Sequence, residues 1–159
     1  MENTKAINKI DVERKTLKDM LSQKYIVDYF QREYKWKIKH VEDLLNDLQT
    51  RFLQDYKEGD TIKDVAKYGY YYVGSIILSS EGTEYSIIDG QQRLTTLTLL
   101  LIYLNNLQND LKIDRPIVLS NLISEEDYDF SPNIGVKDWT PCLKSLFEGK
   151  GFNLMDQDN

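Results

Sequence analysis

The stretch Tyr85-Ser86-Ile87-Ile88-Asp89-Gly90-Gln91-Gln92-Arg93-Leu94-Thr95-Thr96-Leu97 decides how this chain is read. Residues 84–89 are rich in β-branched and aromatic side chains and predict a strand. From Leu94 to Leu107 apolar residues cover most of a helical circumference, so a helix is expected in the middle of the domain, covered on several sides. Between them Gly90, without a Cβ, lets the backbone turn sharply and come close to a ligand. The amides of Gln91 to Leu94 then fall at a helix N-terminus, where N–H groups lack intrahelical acceptors and favour an anion. Arg93 adds a planar, permanently charged fork suited to phosphate oxygens. Gln91 and Gln92 offer donors and acceptors for a ribose, a base edge or an attacking water. Asp89, the candidate metal residue, would hold Mg²⁺ through water or orient that water. A purely structural reading competes: Asp89 caps the helix, Gly90 serves the turn, and Arg93 pairs with a surface carboxylate. Two adjacent glutamines before an arginine are not needed for capping, which tips the balance towards a ligand.

Outward from this turn, Tyr70–Ser79 (YYYVGSIILS) predicts a second strand, joined to the first through Ser80–Thr83 as a hairpin. Gly74-Ser75 inside it signals a close backbone approach or a bulge. Lys57–Lys67 is expected to be a loop. Residues 38–56 predict a helix burying Val41, Leu44, Leu45, Leu48 and Phe52 as one stripe. Asp43 and Asp47, one turn apart on its other side, could supply carboxylates to a metal, although a solvated face is the plainer reading. Lys24–Phe30 predicts a strand, Thr16–Leu21 a brief helix capped by Thr16 with Asp19, and Ala6–Ile10 a short strand or extended lead. Downstream, Ile117–Leu119 predicts a strand and Trp139–Phe147 a short helix. The fold class is therefore mixed α/β (α+β), a small mixed sheet packed with helices. Residues 1–110 form its core and 111–159 a C-terminal extension of the same domain. The chain ends without a closing element, as expected of a piece of a longer protein.

At 159 residues, 41% hydrophobic and 29% charged, the chain suits one domain with a core. A lone Cys142 forms no internal disulfide, the N-terminus has no secretory h-region, and the longest apolar run is interrupted by threonines and asparagines. A cytoplasmic protein with no membrane contact is expected. The net charge of −6 argues against simple electrostatic coating of DNA. It hides an asymmetry, +4 over residues 1–40 and −10 over the rest. Arg32, Lys35, Lys37, Lys39 and His40 crowd one segment that could meet phosphate, or could be a solvated basic turn. In Tyr29-Phe30-Gln31-Arg32-Glu33-Tyr34-Lys35-Trp36, aromatics beside Gln and Arg suit stacking on a base. Tyr34, Lys35 and Lys37 are the candidate nucleic-acid contacts, whereas Trp36 reads more naturally as packing under the loop.

YFQREYKW, HVEDLLNDL, YYVGSIIL and YSIIDGQQRLTTL together resemble the N-terminal domain of the GmrSD-type (DGQQR) restriction family, over about residues 10–110. The resemblance implies a ParB/sulfiredoxin-like fold and an NTP-binding and hydrolysing domain in modification-dependent, type IV-like restriction or phage defence. It implies catalytic roles for Asp89, Gln91 and Arg93. Nucleotide-binding roles fall to Gly90, Gln92, the Gln31-Arg32 pair of the FQR element, and Gly74-Ser75. The implied ligands are GTP or ATP with Mg²⁺, and the implied partners are modified DNA and a C-terminal nuclease domain or separate subunit. There is no Walker A sequence, so a different loop must hold the nucleotide. His40 is the sole histidine, so the metal-assisted cutting site of an HNH nuclease is not in this chain.

Three functional readings follow. The first is an NTPase. The second is a non-catalytic module that senses DNA or nucleotide and regulates a separate nuclease. The third, a sulfiredoxin-like phosphoryl transfer to oxidised cysteine, rests on fold analogy alone.

Overall fold

The computed structural model describes residues 10–27, 33–81, 84–113, 123–126, 129–132, 134–135 and 140–150. A single helical turn and a half, α1 (Leu17–Leu21), opens the described chain. Thr16 Oγ1 accepts the Asp19 amide at 3.2 Å and Asp19 Oδ2 accepts the Thr16 amide at 3.1 Å, the reciprocal box expected from the sequence. Strand β1 (Tyr25–Val27) follows, with Tyr25 and Val27 buried and Ile26 turned outward. Helix α2 (Ile38–Asp55) and the one-turn α3 (Ile62–Val65) lead to strand β2 (Ile77–Glu81). Strand β3 (Glu84–Asp89) and the long helix α4 (Gln91–Asp110) come next. Then come β4 (Ile123–Glu126), β5 (Asp129–Pro132), β6 (Ile134–Gly135) and α5 (Thr140–Phe147).

The main sheet runs β2-β3-β1-β6, while β4 and β5 form a separate antiparallel pair. β1 is parallel to both of its neighbours, with Val27 opposite Ile87 and Tyr25 opposite Ile134. β2 and β3 are the expected antiparallel hairpin. Tyr25, Val27, Ile87, Leu94, Ile102 and Leu143 meet in one core with Leu21, so α4 and α5 both pack on the sheet's buried face. Each aliphatic side chain removed from water there contributes ~1.5–3 kcal/mol. Buried threonines enter this core because two return their hydroxyls to their own helix. Thr96 Oγ1 donates to Gln92 O at 2.7 Å and Thr98 Oγ1 to Leu94 O at 2.9 Å.

Several expectations need correction. The strand anticipated over 70–79 begins only at Ile77, because Gly74 sits at φ 108°, outside extended conformation. The anticipated loop over 57–67 contains α3, started by a Thr61–Asp64 box. On α2 only Leu44 is buried, while Leu45 and Phe52 are exposed. Phe52 instead stacks on Tyr56, ring centroids 5.3 Å apart. Helix α4 is buried mainly in its first half and at Ile102, while Tyr103, Leu104 and Leu107 are exposed. β4, β5 and β6 were not anticipated. The anticipated strands at 6–10 and 117–119 lie in or against stretches outside the described residues, as do Gln31, Arg32 and Trp139.

Candidate functional site

Because β1 and β3 are parallel, the chain leaves both at the same end of the sheet. Because β2 is antiparallel, with Ile77 opposite Asp89, the residues preceding it arrive at that end too. Topology therefore gathers three segments there: 33–36, 74–76 and 89–93. The carboxyl end of parallel strands is where open α/β sheets commonly take ligands. A bulge sharpens the placement: Ile77 opposes Asp89 and Leu78 opposes Ile87, so Ile88 is the extra residue on β3.

Gly90 is the N-cap of α4 at φ 93°, ψ 3°. A Cβ there would lie 3.0 Å from Ile76 Cγ1 and 3.2 Å from Ser75 O, so glycine is required by conformation and by space. The helix receives no side-chain cap, and its first backbone bond is Leu94 N to Gly90 O at 3.0 Å. The amides of Gln92 and Arg93 precede that bond and have no carbonyl one turn back, which gives this end the partial positive charge of a helix N-terminus.

The two residues after Gln91 each reach a different segment. Arg93 Nη1 donates to Ser75 O at 2.9 Å. Its guanidinium occupies the space beside Gly74, where a Cβ would come within 2.8 Å of Cζ and Nη1. The Gln92 carboxamide reaches the other way. Its Oε1 accepts the amides of Lys35 at 2.7 Å and Trp36 at 3.2 Å, and its Nε2 donates to Glu33 O at 2.9 Å. Gln91 points into the protein and is 8% exposed. The structural alternative for this turn thus fails in two details: the cap residue is Gly90 rather than Asp89, and Arg93 bonds a backbone carbonyl rather than a carboxylate.

Between the 33–36 segment and the turn lies a pocket of about 310 Å³ lined by Glu33, Lys35, Trp36 and the run Ile88 to Arg93. That is the lower end of the ~300–1,000 Å³ range of small-molecule sites. Cationic Lys35 and Arg93 stand on the lining together with the carboxylates of Glu33 and Asp89. Lys35 Nζ lies 3.5 Å from Glu33 in an exposed pair, which contributes little to stability.

The segment before β2 is tied down through its tyrosines. Tyr71 O–H donates to Asp47 at 2.9 Å; this bond, with some burial, raises the phenol's pKa, and Arg93 acts in the opposite direction. Tyr72 O–H and Ser75 Oγ lie 2.9 Å apart. At its start, Gly69 N donates to Asp55 at 2.6 Å, and Asp55 also receives Arg51 Nη2 at 2.8 Å. The Arg51 bond, then the Gly69 bond, holds the Asp55 carboxyl below the usual range.

Of the residues anticipated from sequence, Asp89, Gly90, Gln91, Gln92, Arg93 and Lys35 line one pocket, with Gly74 and Ser75 directly behind Arg93. Tyr34 is beside it, its hydroxyl 2.8 Å from Thr96 Oγ1. Lys37 starts α2, its amide bonded to His40 Nδ1 at 3.0 Å. Trp36, anticipated as packing, is half-buried and forms part of the lining. Glu33, Ile88 and Thr96 were missed; the bulge marks Ile88, the buried polar run of α4 marks Thr96 and the bond from Gln92 marks Glu33, none of them visible without the tertiary partners. Asp47 serves Tyr71, and no group of three metal-binding side chains occurs among the described residues. Burial pushes the Cys142 thiol up, away from the reactive thiolate that an oxidised-cysteine reaction would use. No helix among the described residues is long and apolar enough to cross a membrane.

The family model described as the GmrSD restriction endonuclease N-terminal domain matches residues 15–157. That span takes in every described element and runs through both 15–110 and 111–157. A comparison with curated proteins returned no match.

Proposed function

Since the chain belongs to the GmrSD restriction endonuclease N-terminal domain family, we propose that the pocket at the start of α4 binds a nucleoside triphosphate, GTP or ATP, and hydrolyses it. The observation that carries the reading is the meeting of a helix N-terminus, Arg93 and Lys35 around one cavity that also contains Asp89. Phosphate oxygens would sit over Gly90, where the backbone is bare and the helix end is positive. Arg93, fixed through Ser75 O, would meet charge that develops on the transferred phosphoryl group. Asp89, which is exposed, would place the attacking water, and the buried Gln91 would support the turn from inside. Mg²⁺ bound with the triphosphate would neutralise phosphate charge, and Asp89 is the lining carboxylate on the turn itself. One carboxylate with substrate phosphates is an ordinary donor set for this ion.

The experiment is phosphate release from GTP and from ATP by the protein and by Asp89→Ala and Arg93→Ala. Release by the parent protein and its loss in both folded variants supports the reading. No release from any nucleoside triphosphate by the intact full-length protein would sink it.

A second reading, contact with DNA, draws on the exposed run Lys35, Lys37, Lys39 and His40 next to the pocket. Salt-dependent DNA binding that survives Arg93→Ala and is weakened by Lys35→Ala with Lys37→Ala would favour a sensing module. The two roles are compatible, and DNA cutting would then belong to a nuclease domain or subunit beyond this chain.

A further inference from the structure

We infer that Gln92 is a positioning residue: it builds the pocket by holding the 33–36 segment against α4, and it is not itself a ligand contact. The segment has no helix or strand bonding of its own. Three of its backbone polar groups, Glu33 O, Lys35 N and Trp36 N, are met by one carboxamide. These contacts span 56 to 59 residues of sequence, so they are tertiary ties rather than local turn chemistry.

The chemistry selects an amide. Both acceptor sites of Oε1 are used by successive N–H groups, and Nε2 supplies the donor that Glu33 O needs. A carboxylate would keep the acceptors and set a negative oxygen against that carbonyl. A lysine or arginine would keep the donor and lose both acceptors.

A second tie runs through the main chain of the same residue. Thr96 spends its hydroxyl proton on Gln92 O, so Tyr34 O–H must be the donor in the 2.8 Å contact with Thr96 Oγ1. Gln92 therefore ends two links to the segment that carries Glu33, Lys35 and Trp36 into the pocket wall. The tether itself needs no ligand; its consequence for nucleotide affinity rests on the reading proposed above.

The test uses the full chain with Gln92→Ala and the similarly sized Gln92→Met, which has neither the amide oxygen nor the N–H. Amide hydrogen exchange without nucleotide is measured at Lys35, Trp36 and, as a core reference, Leu97. Kinetics with GTP and ATP follow. Exchange at Lys35 and Trp36 should accelerate about tenfold or more in both variants while Leu97 keeps its protection. KM should rise about tenfold, and kcat should fall by less than KM rises. If Gln92→Ala loses Leu97 protection and is therefore unfolded, Gln92→Met carries the test. Unchanged exchange at Lys35 and Trp36 overturns the proposal. So does a kcat loss with unchanged KM, which would put Gln92 among the reacting groups. If the parent protein neither binds nor hydrolyses a triphosphate, the nucleotide reading fails, while the exchange result still decides the tether.

Discussion

Two kinds of backbone form the pocket. The turn 89–93 is clamped by regular structure on both sides, β3 before it and α4 after it. The wall 33–36, and the segment 74–76 that backs Arg93, have no such framework and are fastened to that turn by side chains, Gln92 on one side and Arg93 on the other. The contrast shows what the turn supplies beyond an anion-binding helix end. Its adjacent residues assemble the site from segments far apart in sequence. A rigid element is a suitable place for such fastenings, because a site on helices and strands is held more accurately than one on loops.

The strongest way to break this arrangement is Arg93→Ala. It removes the charge at the pocket and the bond to Ser75 O together. Phosphate release should fall about 10²- to 10³-fold, the loss typical of deleting one positioned transition-state donor, with far-UV circular dichroism unchanged. Gly74→Ala attacks the placement of Arg93 from the opposite direction. The new Cβ would stand 2.8 Å from the Arg93 guanidinium on a residue at φ 108°. Chemical denaturation should show a loss of about 1–3 kcal/mol, with weakened nucleotide binding. Tyr34→Phe probes the opposite wall and cuts only the outer link. It should cost about 1 kcal/mol or less of stability by the same assay, with a small rise in KM.

The smallest effect concerns pH. The folded-state pKa of Asp55 is depressed by Arg51 and Gly69. Its contribution is therefore present above the unfolded value, ~3.9, and is lost as pH falls through the folded one. Asp55→Asn should have a lower Tm than the parent protein near neutrality, and the gap should close on acidification below the usual carboxylate range. A gap that widens in acid would show that Asp55 does not anchor residue 69 in this way.

The clamped region was the one legible in sequence. Strand 84–89, the bare turn at Gly90 and the long helix after it follow from local composition and period, and the structure has them at those residues. The tethered walls were less legible. Tyr70–Val73 carries strong strand-forming residues, yet the backbone there is irregular. Tyr71 is engaged with Asp47 on α2, Tyr72 sits beside Ser75, and Gly74 adopts a positive φ that brings it beside Arg93. Gly74-Ser75 did announce a close approach; what approaches is the guanidinium of Arg93, 18 residues on from Ser75. The partners of Gln92 left no trace in its neighbourhood, because a single amide bonding a distant backbone alters no periodicity. β6 escaped for another reason: two residues, one of them Gly135, make no strand pattern without β1 to pair with.

The most direct measurement is a titration of the ¹⁵N-labelled chain with GTP or ATP and Mg²⁺, following backbone amide shifts. The changes should fall on three groups, 33–36, 74–76 and 89–94, and Arg93→Ala should remove them. Shifts confined to other parts of the chain, or none at millimolar nucleotide, would contradict the nucleotide reading.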